Sequence, residues 1–429
     1  MIPRYEGIEQ FLAARDKASG IGGIPADVMA RAGFIIERVR LEGDKALLSL
    51  ALELDGIRLR EDQLRVDARV VARSATETPS SVQGVLERAA ENIHSYHQRQ
   101  KERSWSNLLD DGTLLGQRVS PLSIVGVYVP GGKAVYPSSL LMNCIPAQIA
   151  GVGRIIVATP PGVIERCPAL ACAIQMLGIS EVFQVGGAQA IGALAYGTES
   201  IPSVDKIVGP GNAYVAAAKK HVFGQVGVDN IAGPSEIAVL ADDSANASLV
   251  AADLLSQAEH GSGEERAILI TPSLRLINEV RDELGIQAKR LPRAREVEKV
   301  LDEHGACVLV SDMREGVALV DLIAPEHLEV LSEDADQLAD EVRNAGAIFI
   351  GSFSPVPVGD FYAGPNHVLP TGGTARFASP LGVYDFVKRT SLIRYSKSRL
   401  SRDRKSIETF ARVEGFEAHA RAVSVRFEE

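Results

Sequence analysis

Residues 123–160 read SIVGVYVPGGKAVYPSSLLMNCIPAQIAGVGRIIVATP. The run SIVGVYVP (123–130) is short, apolar and rich in β-branched residues, which predicts a buried strand. Ser138–Ala150 follows as a helix. RIIVATP (154–160) then repeats the texture of the first run. Strand, helix and strand in this order predict a parallel α/β sheet.

The same rhythm continues outward. Pro168–Leu177 reads as a helix, EVFQVGG (181–187) as a strand and Ala188–Tyr196 as a helix. KIVGPGN (206–212) leads into a helix over Ala213–Val222. After Gly233 the pattern restarts. EIAVLAD (236–242), AILITP (267–272), CVLVSD (307–312) and AIFIG (347–351) read as strands, with helices between them that include Ala247–His260. The fold class is therefore α/β, with two similar domains in tandem and no clean sequence repeat. Gly/Pro-rich loops at 131–132, 209–211, 233–234 and 364–365 fall at or near strand ends, and ligands usually bind at the carboxyl ends of such strands. Residues 1–115 read as mainly helical, as in Ala26–Glu42 and Ser80–Gln100. The stretch from about Lys388 is charged and helical, too polar for a core of its own, which suits packing on another subunit.

Composition narrows the partners. Hydrophobic residues are 46% and charged residues 23% of the 429, an ordinary globular balance. A net charge of −10 disfavours nucleic acid. No apolar run approaches a membrane span, and MIPRYEGIEQF has no signal-peptide core, so the expectation is a cytoplasmic protein without a membrane partner. Cys144, Cys167, Cys172 and Cys307 have no metal-knuckle or redox spacing and read as buried spectator thiols.

Only eight histidines are present. His94 and His97 stand three apart on a helix with no third donor nearby, and read as a solvated face. SQAEHG places Gln257 and His260 on one helix face. APEHLEV offers Glu326 and His327 after a proline. GDFYAGPNHVLPTGG offers Asp360 and His367, and EGFEAHA offers Glu414 and His419; these last three histidines fall in or beside expected loops. Imidazole with carboxylate or amide oxygen suits a borderline metal such as zinc. On these residues alone, a metal hydrolase and a metal-dependent oxidoreductase stay equally open. No G-x-G-x-x-G fingerprint follows any strand: GVGRII and GPGNAY both fail it.

Seven segments taken together carry a specific resemblance. They are GVYVPGGKAVYPSSLLMN, QVGGAQAIGALAYGTESIPSVDKIVGPGN, IAGPSEIAVLAD, LLSQAEHG, APEHLEV, GPNHVLPTGGTARFASPLGVYDFVKRTS and EGFEAHA. Their order and content resemble the histidinol dehydrogenases from about Gly116 to Ala420. Residues 1–115 match only in general character.

The resemblance implies two incomplete Rossmann-like domains, the first binding NAD without the usual glycine fingerprint. It divides the chain into a helical region at 1–115, packing in part on the second domain, an NAD domain at 116–235, a metal and catalytic domain at 236–385, and a helical tail at 386–429 exchanged in a homodimer. One Zn2+ per subunit would be held by Gln257, His260, Asp360 and His419. Glu326 and His327 would be the acid–base pair. Ser235, His367 and Glu414 would contact the substrate, alongside the metal ligands and His327. Tyr128, Gln189 and Asn212 would contact NAD. The implied reaction takes L-histidinol through L-histidinal to L-histidine in two NAD-dependent steps. The alternatives are a related dehydrogenase of another polyol such as a sulfopropanediol, a zinc hydrolase, and a non-catalytic zinc-binding scaffold. The charge of Lys133 in the first matching loop is assigned no role.

Overall fold

Side-chain alternation along the strands builds the core. In the first strand of the quoted stretch, Val125 and Val127 point into one apolar cluster and Tyr128 into another on the opposite face of the sheet. The structure is a computed structural model that describes residues 2–18, 24–132, 135–231 and 233–428; Lys133 lies outside them. Its strands in chain order are β1 (Arg4–Glu6), β2 (Trp105–Leu108), β3 (Leu114–Pro121), β4 (Ile124–Tyr128), β5 (Arg154–Thr159), β6 (Glu181–Gln184), β7 (Lys206–Val208), β8 (Gly227–Val228), β9 (Glu236–Ala241), β10 (Arg266–Thr271), β11 (Gly305–Leu309), β12 (His327–Leu331), β13 (Ala347–Ile350) and β14 (Val387–Arg394).

Two compact units result, 1–100 with 122–386, and 101–121 with 387–429. The larger holds two parallel sheets, ordered β6-β5-β4-β7-β8 and β1-β11-β10-β9-β12-β13. Counting each sheet's own strands in chain order, and leaving out the borrowed β1, both run 3-2-1-4-5. The tandem α/β expectation is met at the level of topology. In each sheet the strand order reverses beside the first strand, at β4/β7 and at β9/β12.

The N-terminal region is shared between the two sheets. β1 pairs with β11 at the edge of the second sheet, and the helix Gly7–Ala18 packs there. The helices Ala26–Glu42 and Asp44–Asp55 supply Ala32, Ile36, Val39, Leu47 and Leu50 to one face of the first sheet. Ala68–Thr76 and Ser80–Gln98 cover its other face.

The smaller unit is an antiparallel sheet, β14-β3-β2, with the helices Lys397–Val413 and Glu417–Ser424. The reading of a wholly helical tail misses β14. Its partner β3 lies far upstream, and VKRTSLIR carries too many charges to show a buried strand's apolar run. The helix Lys397–Val413 buries none of its residues within this chain, and Phe410, Val413 and Phe416 stay exposed. Among the described residues no helix is long and apolar enough to cross a membrane.

Two smaller expectations need correcting. Cys144 and Cys307 are buried, but Cys167 and Cys172 are only partly so. His94 is exposed, whereas His97 faces inward: its Nδ1 donates to the Ile93 carbonyl at 2.8 Å, and its Nε2 lies 3.4 Å from the Asn366 amide. The helix turns these two rings toward different surroundings, which a spacing of three permits when one flank packs.

Candidate active site

The first sheet offers the carboxyl ends of its strands. Tyr128 closes β4, and its hydroxyl accepts the Gly187 N–H at 3.0 Å, bringing the start of the helix Gly187–Tyr196 beside β4. Burial pushes the Tyr128 phenol up to about 12. Gln189, two residues into that helix, is buried with no hydrogen-bond partner for its Oε1. After β7 the chain passes through Gly209-Pro210-Gly211-Asn212. Gly209 has φ +115°, and a Cβ there would stand 2.1 Å from the Tyr128 carbonyl oxygen, so only glycine fits. A buried ion pair braces this turn. Gly209 N–H donates to Asp229 Oδ2 at 2.8 Å, and the Lys219 ammonium donates to Asp229 Oδ1 at 2.5 Å and to the Gly209 carbonyl. Asn212 caps the helix Ala213–Val222, its amide oxygen accepting from Tyr214 and Val215 N–H. Tyr128, Gln189 and Asn212 therefore follow β4, β6 and β7 at one edge, beside the β4/β7 reversal where open α/β sheets take ligands.

The second sheet offers the opposite edge. Glu236 begins β9 and His327 begins β12, so the acid–base candidates stand at amino ends. The candidates of this half thus stand at amino ends rather than at the carboxyl ends that sequence suggested, and His327 is a strand residue rather than a loop one. It also explains why Gln257 and His260 collect here: the helix Ala247–Ala258 runs back against the strands and ends at that edge. Before β12, Ala324 ends the helix Met313–Ile323 in left-handed conformation, with φ 49°, the only non-glycine at positive φ among the described residues. Such a backbone costs of order 1 kcal/mol for an L-residue and here turns Pro325 and Glu326 into the edge.

Glu326 and His327 are almost wholly buried. The Glu236 main chain holds both: its N–H donates to Glu326 Oε2 at 3.0 Å, and its carbonyl accepts from His327 Nδ1 at 3.2 Å. With Nδ1 donating to this carbonyl, Nε2 is the nitrogen that gains and loses the titrating proton. Nε2 is buried without a hydrogen-bond partner, 3.5 Å from Asp360 Oδ1. Burial pushes Glu326 up to about 7, even against the nearby His327 charge. Burial pulls the His327 ring down, but the charges of Glu326 and Asp360 prevail and hold it up to about 9. Burial would likewise raise Asp360; the His327 ring beside it, then the charges of His367 and His260, bring it below its ordinary value.

The remaining candidates are divided between the two units. Gln257 is buried, its Oε1 unpartnered, and its Nε2 lies 3.4 Å from His260 Nδ1. His260 itself lies just past the helix end and is exposed. Asp360 lies on the helix Val356–Phe361, and its carbonyl accepts from His367 Nδ1 at 2.8 Å. His367 Nε2 lies 3.1 Å from Ser139 Oγ, at the start of the helix Pro137–Ala150 over the first sheet. That contact ties the carboxyl edge of the first sheet to the loop carrying the second sheet's residues. Ser235 precedes Glu236, half-buried, its carbonyl accepting Arg266 N–H at 3.1 Å. Glu414 and His419 belong to the smaller unit. Glu414 ends the helix Lys397–Val413, and His419 lies within Glu417–Ser424 rather than in a loop, its ring 5.1 Å from Phe416.

A family model described as "Histidinol dehydrogenase" matches residues 24–427. The chain is 51% identical over 399 residues to the histidinol dehydrogenase of Halalkalibacterium halodurans, covering 92% of this chain and 93% of that one. It is 49% identical over 393 residues to that of Bacillus subtilis, covering 91% of each. The chain belongs to the histidinol dehydrogenase family. A histidinol dehydrogenase crystal structure from Elizabethkingia anophelis superposes with a TM-score of 0.92 at 33% identity, covering 99% of this chain and 98% of that one.

The histidinol dehydrogenase match also reaches most of the N-terminal helices, whose sequence motifs share only general character with the family. Two groups in this site were not anticipated. Glu236 uses both main-chain groups on the acid–base pair, and its Oε1 accepts Gly372 N–H at 2.9 Å. Ser139 holds His367. Both are hidden in sequence because an apolar helix and an apolar strand carry them, where a polar residue gives no periodic signal. Among the described residues no group of three or more His, Cys, Asp and Glu side chains forms a metal cluster. The expected ligand set would not make one in the larger unit: only His260 and Asp360 there are of those types, Gln257 is an amide, and His419 is in the smaller unit.

Proposed function

We propose that the chain oxidises L-histidinol through L-histidinal to L-histidine, using two NAD and one water. Family membership over nearly the whole chain carries this reading, and the buried Glu326–His327 pair supplies chemistry that fits it. The proposed division of labour gives NAD to residues 116–235, metal and catalysis to 236–385, and a tail exchanged between the subunits of a cytoplasmic homodimer to 386–429.

The donors present fit zinc. Gln257 Oε1 is a buried oxygen without a partner, His260 touches the same amide, and Asp360 is a carboxylate favoured in its charged form. Oxygen and imidazole together are a normal zinc set, and His419 is proposed as the fourth ligand. Tyr128, Gln189 and Asn212 are proposed to hold NAD. When bound, zinc supplies an anchor for the substrate's amine and imidazole nitrogens, and NAD accepts hydride.

The chain's own groups do the rest. In the first oxidation His327 Nε2 takes the hydroxyl proton while hydride leaves the carbinol carbon. Glu236 fixes the ring orientation through Nδ1. Glu326 then takes a proton from water as its oxygen adds to the aldehyde carbon, and the His327 imidazolium returns its proton to the carbonyl oxygen, which gives the hydrate and a neutral ring. His327 removes the hydroxyl proton of the resulting hydrate as the second hydride departs, leaving the carboxylic acid. Ser235, His367 and Glu414 are proposed to orient the substrate. The aldehyde is consumed where it forms, and the second, strongly downhill step draws the first forward.

The test is NADH absorbance on adding L-histidinol and NAD, with a sulfopropanediol as comparison. Two NADH per histidinol are expected, with loss on chelation and return with zinc. No NADH would overturn the dehydrogenase reading, and full activity in a verified metal-free sample would remove the metal.

A further inference from the structure

One buried acid takes no part in this chemistry. Along β12, His327, Glu329 and Leu331 share the face that packs on the helix Ala247–Ala258. That layer is otherwise apolar, built from Val250, Leu254, Leu255, Ile237, Val239 and Val356. Glu329 is 1% exposed within it. Its Oε1 accepts the Val356 N–H at 3.0 Å. Its Oε2 is buried and meets no donor. The group facing it is another carboxyl, that of Asp253. Two carboxylates cannot both stay charged in an apolar layer; one proton between them turns repulsion into a hydrogen bond. Burial and the Asp253 charge push Glu329 up to about 9, and Asp253 is raised as well.

Glu329 and its two contacts join three elements, each carrying a residue of the proposed site. Asp253 lies one helical turn before Gln257, on the same helix face. Glu329 lies two residues after His327 on one strand face. Val356 opens the short helix that bears Asp360.

We propose that Glu329 is a positioning residue kept as a neutral carboxylic acid, its hydroxyl donating to Asp253 and its carbonyl accepting from Val356, so that Gln257, His327 and Asp360 are held in register. This rests on the reading of Gln257 and Asp360 as metal ligands and His327 as base.

The test compares Glu329→Gln with Glu329→Leu in the full-length protein. A glutamine amide donates to Asp253 and accepts from Val356, as the neutral acid does. Glu329→Gln is therefore expected to keep zinc affinity and kcat close to wild type. Leucine fills the space but does neither, and is expected to lose about 10–100-fold in zinc affinity or kcat, the usual cost of removing a supporting contact. Zinc affinity is read by competition with a coloured chelator. The infrared difference spectrum of wild type minus Glu329→Gln should show the carbonyl stretch of a protonated acid near neutral pH. Absence of that band, or a glutamine variant as damaged as the leucine one, overturns the neutral acid. Wild-type zinc affinity and kcat in Glu329→Leu overturn the positioning role. Should Glu329→Leu fail to fold, Asp253→Ala replaces it, with the same expected losses and the same overturning result. A wild type that binds no zinc refutes the metal reading alone, because the band and the kcat ratio of the variants still decide the role of Glu329.

Discussion

His327 Nδ1 lies 3.2 Å from the main-chain oxygen of Glu236, and this one contact decides which ring nitrogen can act as base. His327→Asn should lower both half-reactions by about 10²–10⁴-fold, the usual worth of a general base. Glu326→Gln should slow oxidation of supplied histidinal more than oxidation of histidinol to the aldehyde. Single-turnover measurement of each half-reaction checks both. Equal losses in the two halves for Glu326→Gln would remove its special role in hydration.

The turn at Gly209 admits no side chain. Gly209→Ala combines a positive φ with a 2.1 Å approach to the Tyr128 carbonyl. It should destabilise by at least about 1–3 kcal/mol, read as a lower Tm, and raise KM for NAD with little change in KM for histidinol. Asp229→Asn, which leaves the Lys219 ammonium buried without its carboxylate, should cost about 3–5 kcal/mol. An unchanged KM for NAD in soluble Gly209→Ala would detach this turn from cofactor binding.

Glu329 also makes a pH prediction whose sign is fixed. Its folded carboxyl is raised to about 9 by burial and Asp253, with His327 opposing, so the folded state holds a proton that the unfolded chain releases near 4.5. Stability from this group is full below the unfolded value and falls as pH rises toward 9. Glu329→Gln cannot titrate. Its Tm should therefore gain on wild type between acid and alkaline pH; a constant difference across that range would show that Glu329 ionises normally.

Tail exchange can be tested by complementation. Refolding His327→Asn and His419→Asn chains together makes about half the dimers mixed. If tails cross, one site in each mixed dimer carries both lesions and the other none, so activity should return to about a quarter of wild type by symmetry. A dead mixture with mixed dimers present would mean that each tail serves its own chain.

Much of this was legible in the chain. SIVGVYVP and RIIVATP announced a parallel sheet because strands covered on both faces become continuous apolar runs. β12 was harder: HLEVL hides a central strand behind two polar residues, and those polar residues are there for the site and its support. β14 was hidden for the opposite reason, since a small antiparallel sheet needs no apolar run. The site residues followed from seven matching segments taken together; the histidines alone left two reaction classes open. Which edge of each sheet they occupy depends on how the halves pack, and no local pattern encodes that.

The carboxyl edge of the first sheet and the amino edge of the second differ in electrical polarity. Where the first sheet ends its strands, the helices Pro137–Ala150, Gly187–Tyr196 and Ala213–Val222 begin, presenting the positive ends of their dipoles. Where the second sheet begins its strands, the helices Ala247–Ala258 and Met313–Ile323 end, presenting carbonyls and negative ends. The first edge thus favours anions such as a pyrophosphate, and the second favours a metal ion or an ammonium group. One topology used twice thus offers helix ends of opposite sign at the two sets of candidate residues.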